Sequence, residues 1–170
     1  FPRIARALGA CQFVFVRHAG QAITELFKRR LERAFDAAGL KSDDHCVFLA
    51  PMEMNRFSAA SAQCDLMLDS IGWSGGNTTL EALAQDLPVV TMEGDLMRGR
   101  VSAGMLRMMG MPETIAGTVD EFVTLAVRMG KDAAWRGEIR RRVMTGRQQR
   151  PSRRALEFLR VAVSDWGMGV

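Results

Sequence analysis

The chain has 170 residues, 48% of them hydrophobic and 25% charged, which is enough apolar material for one domain with a buried core and too much for a disordered segment. Its net charge of +4 suits an anionic ligand but is too mild to argue for nucleic acid by itself. No apolar run reaches the length of a membrane span, and with His18 and His45 as the only histidines a histidine-rich metal site is excluded.

The opening, FPRIARALGACQFVFVRH, lacks an initiating Met and a signal-like cleavage site, and reads as a chain cut from a longer one. Residues 1–8 look like the end of a helix. Residues 11–18, CQFVFVRH, form a continuous apolar run, as in a strand buried on both faces. Residues 23–38 predict an amphipathic helix with Leu26, Phe27, Leu31 and Phe35 at helical spacing, ended by Gly39. HCVFLAP is the second strand, residues 53–61 a short helix, and residues 64–70, CDLMLDS, the third strand. A glycine loop at Gly75 and Gly76 leads into a helix over 78–85. LPVVTM, residues 87–92, is the fourth strand. A helix over 100–109 carries Met105, Met108 and Met109 on one face, as core filler. TIAG is a short fifth strand.

Beyond it the chain is helical, over 119–129, 133–145 and 152–166. Strands alternating with helices imply crossover connections, a parallel sheet, and ligands beyond the carboxyl ends of the strands. Cys11, Cys46 and Cys64 are read as buried thiols of a reducing compartment, hence a cytoplasmic protein.

The stretch SGGNTTLEALAQ follows the third strand and bears on chemistry. Glycines let backbone approach a ligand. The helix behind them offers free N–H groups and the positive end of its dipole. Asn77, Thr78 and Thr79 add side-chain donors. A plain alternative stays open, because Thr78-x-x-Glu81 is also a capping box that needs no ligand. The pattern matches neither the nucleotide P-loop nor the dinucleotide fingerprint.

Leu68-Asp69-Ser70, the Gly-Gly-x-Thr-Thr-x-Glu-Ala-Leu block, Leu87-Pro88-Val89-Val90-Thr91 and Arg100-Val101-Ser102 resemble the donor-binding half of O-GlcNAc transferase/SPINDLY-type glycosyltransferases, especially bacterial members with tetratricopeptide repeats. The resemblance runs from about residue 11 to 130, and more loosely to the end. It implies an α/β fold: a Rossmann-like parallel sheet with helices on both faces, the C-terminal half of a two-domain GT-B glycosyltransferase. The whole chain would be one nucleotide-sugar-binding domain, 1–170, with 131–170 a helical extension. The first strand of the domain, the N-terminal domain with the catalytic residues, and the repeats would lie outside it, so this chain alone is expected to be inactive.

On that resemblance the Gly76-Asn77-Thr78 turn would hold a diphosphate and Glu81 would lie near the ribose hydroxyls; the helix start by itself predicts an anion over the turn from Gly75 to Thr79. Arg100 would support its loop or approach the diphosphate; facing water at a helix start is the plain alternative. Where relatives place a lysine and a histidine, residues 51–56 show Met52 and Asn55, of which Asn55 can still hydrogen-bond. The implied reaction transfers a sugar, N-acetylglucosamine by resemblance, from UDP to a protein Ser or Thr hydroxyl. No metal or other cofactor is expected. The implied partners are a UDP-sugar and a protein acceptor, with no membrane. Two alternatives are a different donor such as GDP-fucose, and a non-enzymatic nucleic-acid or partner-binding module built on the arginines between Arg136 and Arg160.

Overall fold

A computed structural model describes residues 1–148; the expected helix over 152–166 and the arginines from Arg150 to Arg160 lie outside them. Helix α1 (Pro2–Leu8) has proline in its first turn, where the missing N–H breaks no bond. It leads into β1 (Phe13–Val16), α2 (Gln21–Asp36), β2 (Cys46–Leu49), α3 (Met54–Ser61), β3 (Met67–Leu68) and α4 (Asn77–Ala84). Next come β4 (Val89–Met92), α5 (Val101–Met108), β5 (Ile115–Ala116), α6 (Val119–Lys131) and α7 (Ala133–Gln148). The alternation read from the sequence is thus the alternation observed, and every strand pair is parallel.

The pairing falls into two hydrogen-bonded pieces, β1–β2 and β3–β4–β5. Phe13 and Arg17 donate to His45 and Leu49 beyond and at the ends of β2. The polar backbone groups of Val14 and Val16 therefore point to the opposite edge, where no described strand lies. One face of β1 is also partly exposed: Val14 is 44% and Val16 39% exposed. This corrects the expectation of a strand buried on both faces. Only the Phe13–Phe15 face is covered, with Phe1 edge-on to both rings, Phe27 edge-on to Phe15 and Phe48 stacked on it.

The core runs from that aromatic group through β4, where Val89, Val90 and Thr91 are almost wholly buried. In α2 the buried row is Thr24, Leu31 and Phe35; Leu26 and Phe27 lie at its margin and remain exposed. Gly39, at φ 68°, ends α2 as read. The N–H of Leu40 bonds to Phe35 and that of Gly39 to Asp36, a pair of bonds that needs a left-handed residue between them. In α5 the inward face is Ser102, Ala103 and Leu106. Met108 is 56% exposed, so the methionine stripe is only partly core. The cysteines are free and half-buried rather than buried, and burial pushes all three thiols above their ordinary pKa.

Helix α7 is fixed by its arginines. Arg136 donates to the carbonyls of Met129 and Gly130 at the end of α6 and pairs with Asp65. Arg140 donates to Cys64. Arg142 donates to Gly110 just past α5 and pairs with Glu113. Cations over helix carboxyl ends satisfy orphan carbonyls and oppose the dipole. Ile139 and Val143 are buried between these contacts.

Candidate functional site

Strand β3 is two residues long because its continuation is drawn into a loop. Asp69, only 4% exposed, keeps a backbone bond to Val90 and turns its carboxylate into the interior. Oδ1 accepts the N–H of Ser70 at 3.0 Å and that of Gly75 at 2.7 Å. Oδ2 accepts the hydroxyls of Ser74 and Thr91, each at 2.7 Å. Acid side chains that collect nearby N–H groups build compact turns.

The network continues through buried hydroxyls. Ser74 Oγ accepts the N–H of Ser102 at 2.9 Å. Ser102 Oγ lies 2.8 Å from Ser74 Oγ and 2.7 Å from Thr79 Oγ1. The hydroxyls of Ser102 and Thr79 both reach the carbonyl of Gly75, at 3.1 Å. Gly75 is required by this crowding: a Cβ there would sit 2.6 Å from Thr78 Oγ1 and 2.7 Å from Thr79 Oγ1.

Helix α4 begins against this network. Its N-cap is Gly76, with no side-chain cap bond. The first backbone bond of the helix is Leu80 N–H to Gly76, and no acceptor among the described residues takes the N–H of Asn77, Thr78 or Thr79. The positive end of α4 is therefore open. The Thr78–Glu81 capping box does not form, because the helix starts ahead of Thr78. Thr78 and Asn77 are exposed at the mouth of the turn, whereas Thr79 is wholly buried and serves the inner network.

Glu81 lies one turn beyond Asn77, on the same helix face. The residue is of intermediate burial, and its carboxylate has no hydrogen-bond partner among the described residues. Burial raises its pKa above the ordinary carboxylate range. Arg100, the residue before α5, donates from Nε to the carbonyl of Gly94 at 2.6 Å, which is the loop-supporting arrangement. That loop is tied to the turn, since the N–H of Ser74 donates to Arg98 and the Arg98 guanidinium lies 5.7 Å from the Trp73 ring centre. Asn55 lies in the first turn of α3, exposed, accepting the N–H of Arg56. A shallow concavity lined by Arg17, His18, Thr24, Glu25 and Pro51 opens past β1 and β2.

The structure thus gathers Gly75, Gly76, Asn77, Thr78 and Glu81 around one helix start, turns Thr79 inward, and gives Arg100 to the neighbouring loop. Sequence reading did not assign roles to Asp69, Ser74 and Ser102. The available signal was an acid closing an apolar strand ahead of serine and glycine. Among the described residues no His/Cys/Asp/Glu group is placed to hold a metal ion, and no helix is long and apolar enough to cross a membrane.

A parallel α/β fold with an uncapped helix start at the carboxyl edge of a strand defines a domain suited to an anionic ligand. The sequence profile described as glycosyl transferase family 41 matches residues 30–156, and the chain belongs to that family. It is 34% identical over 77 residues to a probable UDP-N-acetylglucosamine–peptide N-acetylglucosaminyltransferase SPINDLY of Hordeum vulgare, covering 45% of this chain and 8% of that protein. It is 35% identical over 83 residues to the UDP-N-acetylglucosamine–peptide N-acetylglucosaminyltransferase of Caenorhabditis elegans, covering 49% and 7%. The structure of an O-GlcNAc transferase mutant from Thermobaculum terrenum superposes with a TM-score of 0.76 at 29% identity, over 85% of this chain and 27% of that one. The chain therefore spans a small part of the length of these relatives.

Proposed function

We propose that this chain is the nucleotide-sugar-binding domain of a GT-B glycosyltransferase, and that the turn from Gly75 to Thr78 holds the diphosphate of a UDP-sugar. The observation that carries the reading is the set of N–H groups at Asn77, Thr78 and Thr79 left without acceptors, backed by the α4 dipole and the Thr78 hydroxyl. Asn77 adds a side-chain donor, and Glu81 is on the same helix face, where a carboxylate can accept from ribose hydroxyls. In sugar transfer the diphosphate leaves with growing negative charge. Fixed N–H donors at a helix start stabilise that charge without a metal ion.

The names of the relatives support N-acetylglucosamine as the sugar and a peptide as the acceptor. A Ser or Thr hydroxyl as acceptor, tetratricopeptide repeats and a catalytic N-terminal domain elsewhere in the full protein, and a cytoplasmic setting complete the proposal. Asn55 is a further contact candidate at the α3 edge. The nucleic-acid alternative draws no support from Arg136, Arg140 and Arg142, which are engaged with carbonyls and carboxylates of the domain.

The test is calorimetric titration of the full-length protein with UDP, GDP and their sugars. UDP and UDP-N-acetylglucosamine should bind, and GDP-sugars should bind at least about tenfold more weakly, a difference of ~1.4 kcal/mol. Preference for GDP-fucose would replace the donor assignment. No nucleotide binding at all would remove the function.

A further inference from the structure

We propose that Asp69 is a positioning residue for the anion turn, setting the direction in which its N–H groups point. The inference rests on the reading of that turn as the diphosphate site. Asp69 is 4% exposed and has no cation within ion-pairing distance among the described residues. A buried carboxylate behind a site for an anion is electrostatically adverse, so its retention calls for a compensating task.

The geometry supplies one. Oδ1 holds the N–H of Gly75 at 2.7 Å, and Oδ2 holds Ser74 Oγ at 2.7 Å. Through Ser74 the carboxylate orders Ser102. Ser102 and Thr79 in turn both bond to the carbonyl of Gly75. That carbonyl and the N–H of Gly76 belong to one trans peptide and point in opposite directions. Drawing the carbonyl inward sends the Gly76 N–H outward, in line with the open N–H groups of Asn77 and Thr78. With this network loosened the peptide is free to turn over and present an oxygen to the ligand instead of an N–H. Asp69 touches no ligand in this scheme; it acts through the turn.

The experiment compares UDP with uridine, which lacks the phosphates, on the full-length protein and its variants. Thr78→Val tests the site itself: it should narrow the ratio of UDP to uridine affinity. Asp69→Ala should narrow that ratio by about tenfold, the scale of one hydrogen bond to a charged group, with uridine affinity unchanged. Asp69→Asn keeps one oxygen for the Ser70 and Gly75 N–H groups, so it should restore most of the ratio. Asp69→Ser, which leaves a hydroxyl for the buried donors but cannot reach Gly75, replaces the alanine variant if that one does not fold, with the same expectation. A folded Ala or Ser variant with an unchanged ratio, beside a Thr78→Val that narrows it, would overturn the positioning role and leave the site standing. Tighter UDP binding in both the Ala and Asn variants would also overturn it, since that is the signature of charge removal alone. A wild-type protein that binds uridine as tightly as UDP would remove the diphosphate from the turn, and the role of Asp69 with it.

Discussion

Glu81 condenses the two readings of this helix start into one side chain. As a cap it would fold back on the backbone; as found, it has no partner among the described residues, and burial raises its pKa. The folded state then holds the proton more tightly than the unfolded chain does. The resulting destabilisation appears as pH rises through the ordinary carboxylate range and is at full strength at neutral pH. Glu81→Gln should therefore raise the melting temperature at pH 7 and lose that advantage in acid, where both states are protonated. The same change should weaken UDP binding by ~1.5–3 kcal/mol, the scale of hydrogen bonds to a charged group. Paired thermal melts and titrations check both. A variant that is less stable at pH 7 and binds UDP as well as wild type would restore the capping role.

At the scale of the element, the sequence contains two instances of the same pattern, Thr78-x-x-Glu81 and Thr118-x-x-Glu121. Only the second caps a helix. Thr118 is the N-cap of α6 and accepts the N–H of Glu121 at 3.1 Å, while Glu121 accepts the N–H of Gly117 at 2.7 Å. In α4 the N-cap position falls on Gly76, so the threonine and glutamate are already inside the helix and out of reach of the cap positions. The motif alone does not say where a helix starts; the inner hydroxyl network, made by residues far apart in sequence, decides it. Thr118→Ala should cost about 1 kcal/mol, the worth of a hydroxyl cap. Because α6 packs on α1, α7 and the β4–β5 pair, the loss should appear in global urea unfolding. An unchanged midpoint would show that the cap contributes nothing to the fold.

Across the whole molecule, the order of strands and helices was legible because their periodicities differ along the chain, and the glycine stops were legible because Gly39 has a left-handed φ. The extent of burial was not. Val14 and Val16 read as interior, yet both remain exposed, at 44% and 39%. An apolar run records the surroundings in which a strand is used, and those need not lie in the same segment. Part of the site was legible too: Gly75, Gly76, Asn77 and Thr78 stand at the turn as read, because glycine and hydroxyl chemistry at a helix start is local. Asp69, Ser74 and Ser102 were not, because their role arises from contacts across β3, the loop and α5. Arg136, Arg140 and Arg142 of α7 secure the helix to its neighbours, a role set by tertiary contacts that the run of arginines does not disclose.

Placement of the diphosphate at this helix start is tested by a crystal structure of the full-length protein with UDP. Phosphate oxygens should lie about 3 Å from the backbone nitrogens of Asn77 and Thr78, with the Gly75 carbonyl still turned inward and the ribose toward Glu81. UDP bound elsewhere, with the turn from Gly75 to Thr78 unoccupied, would contradict it.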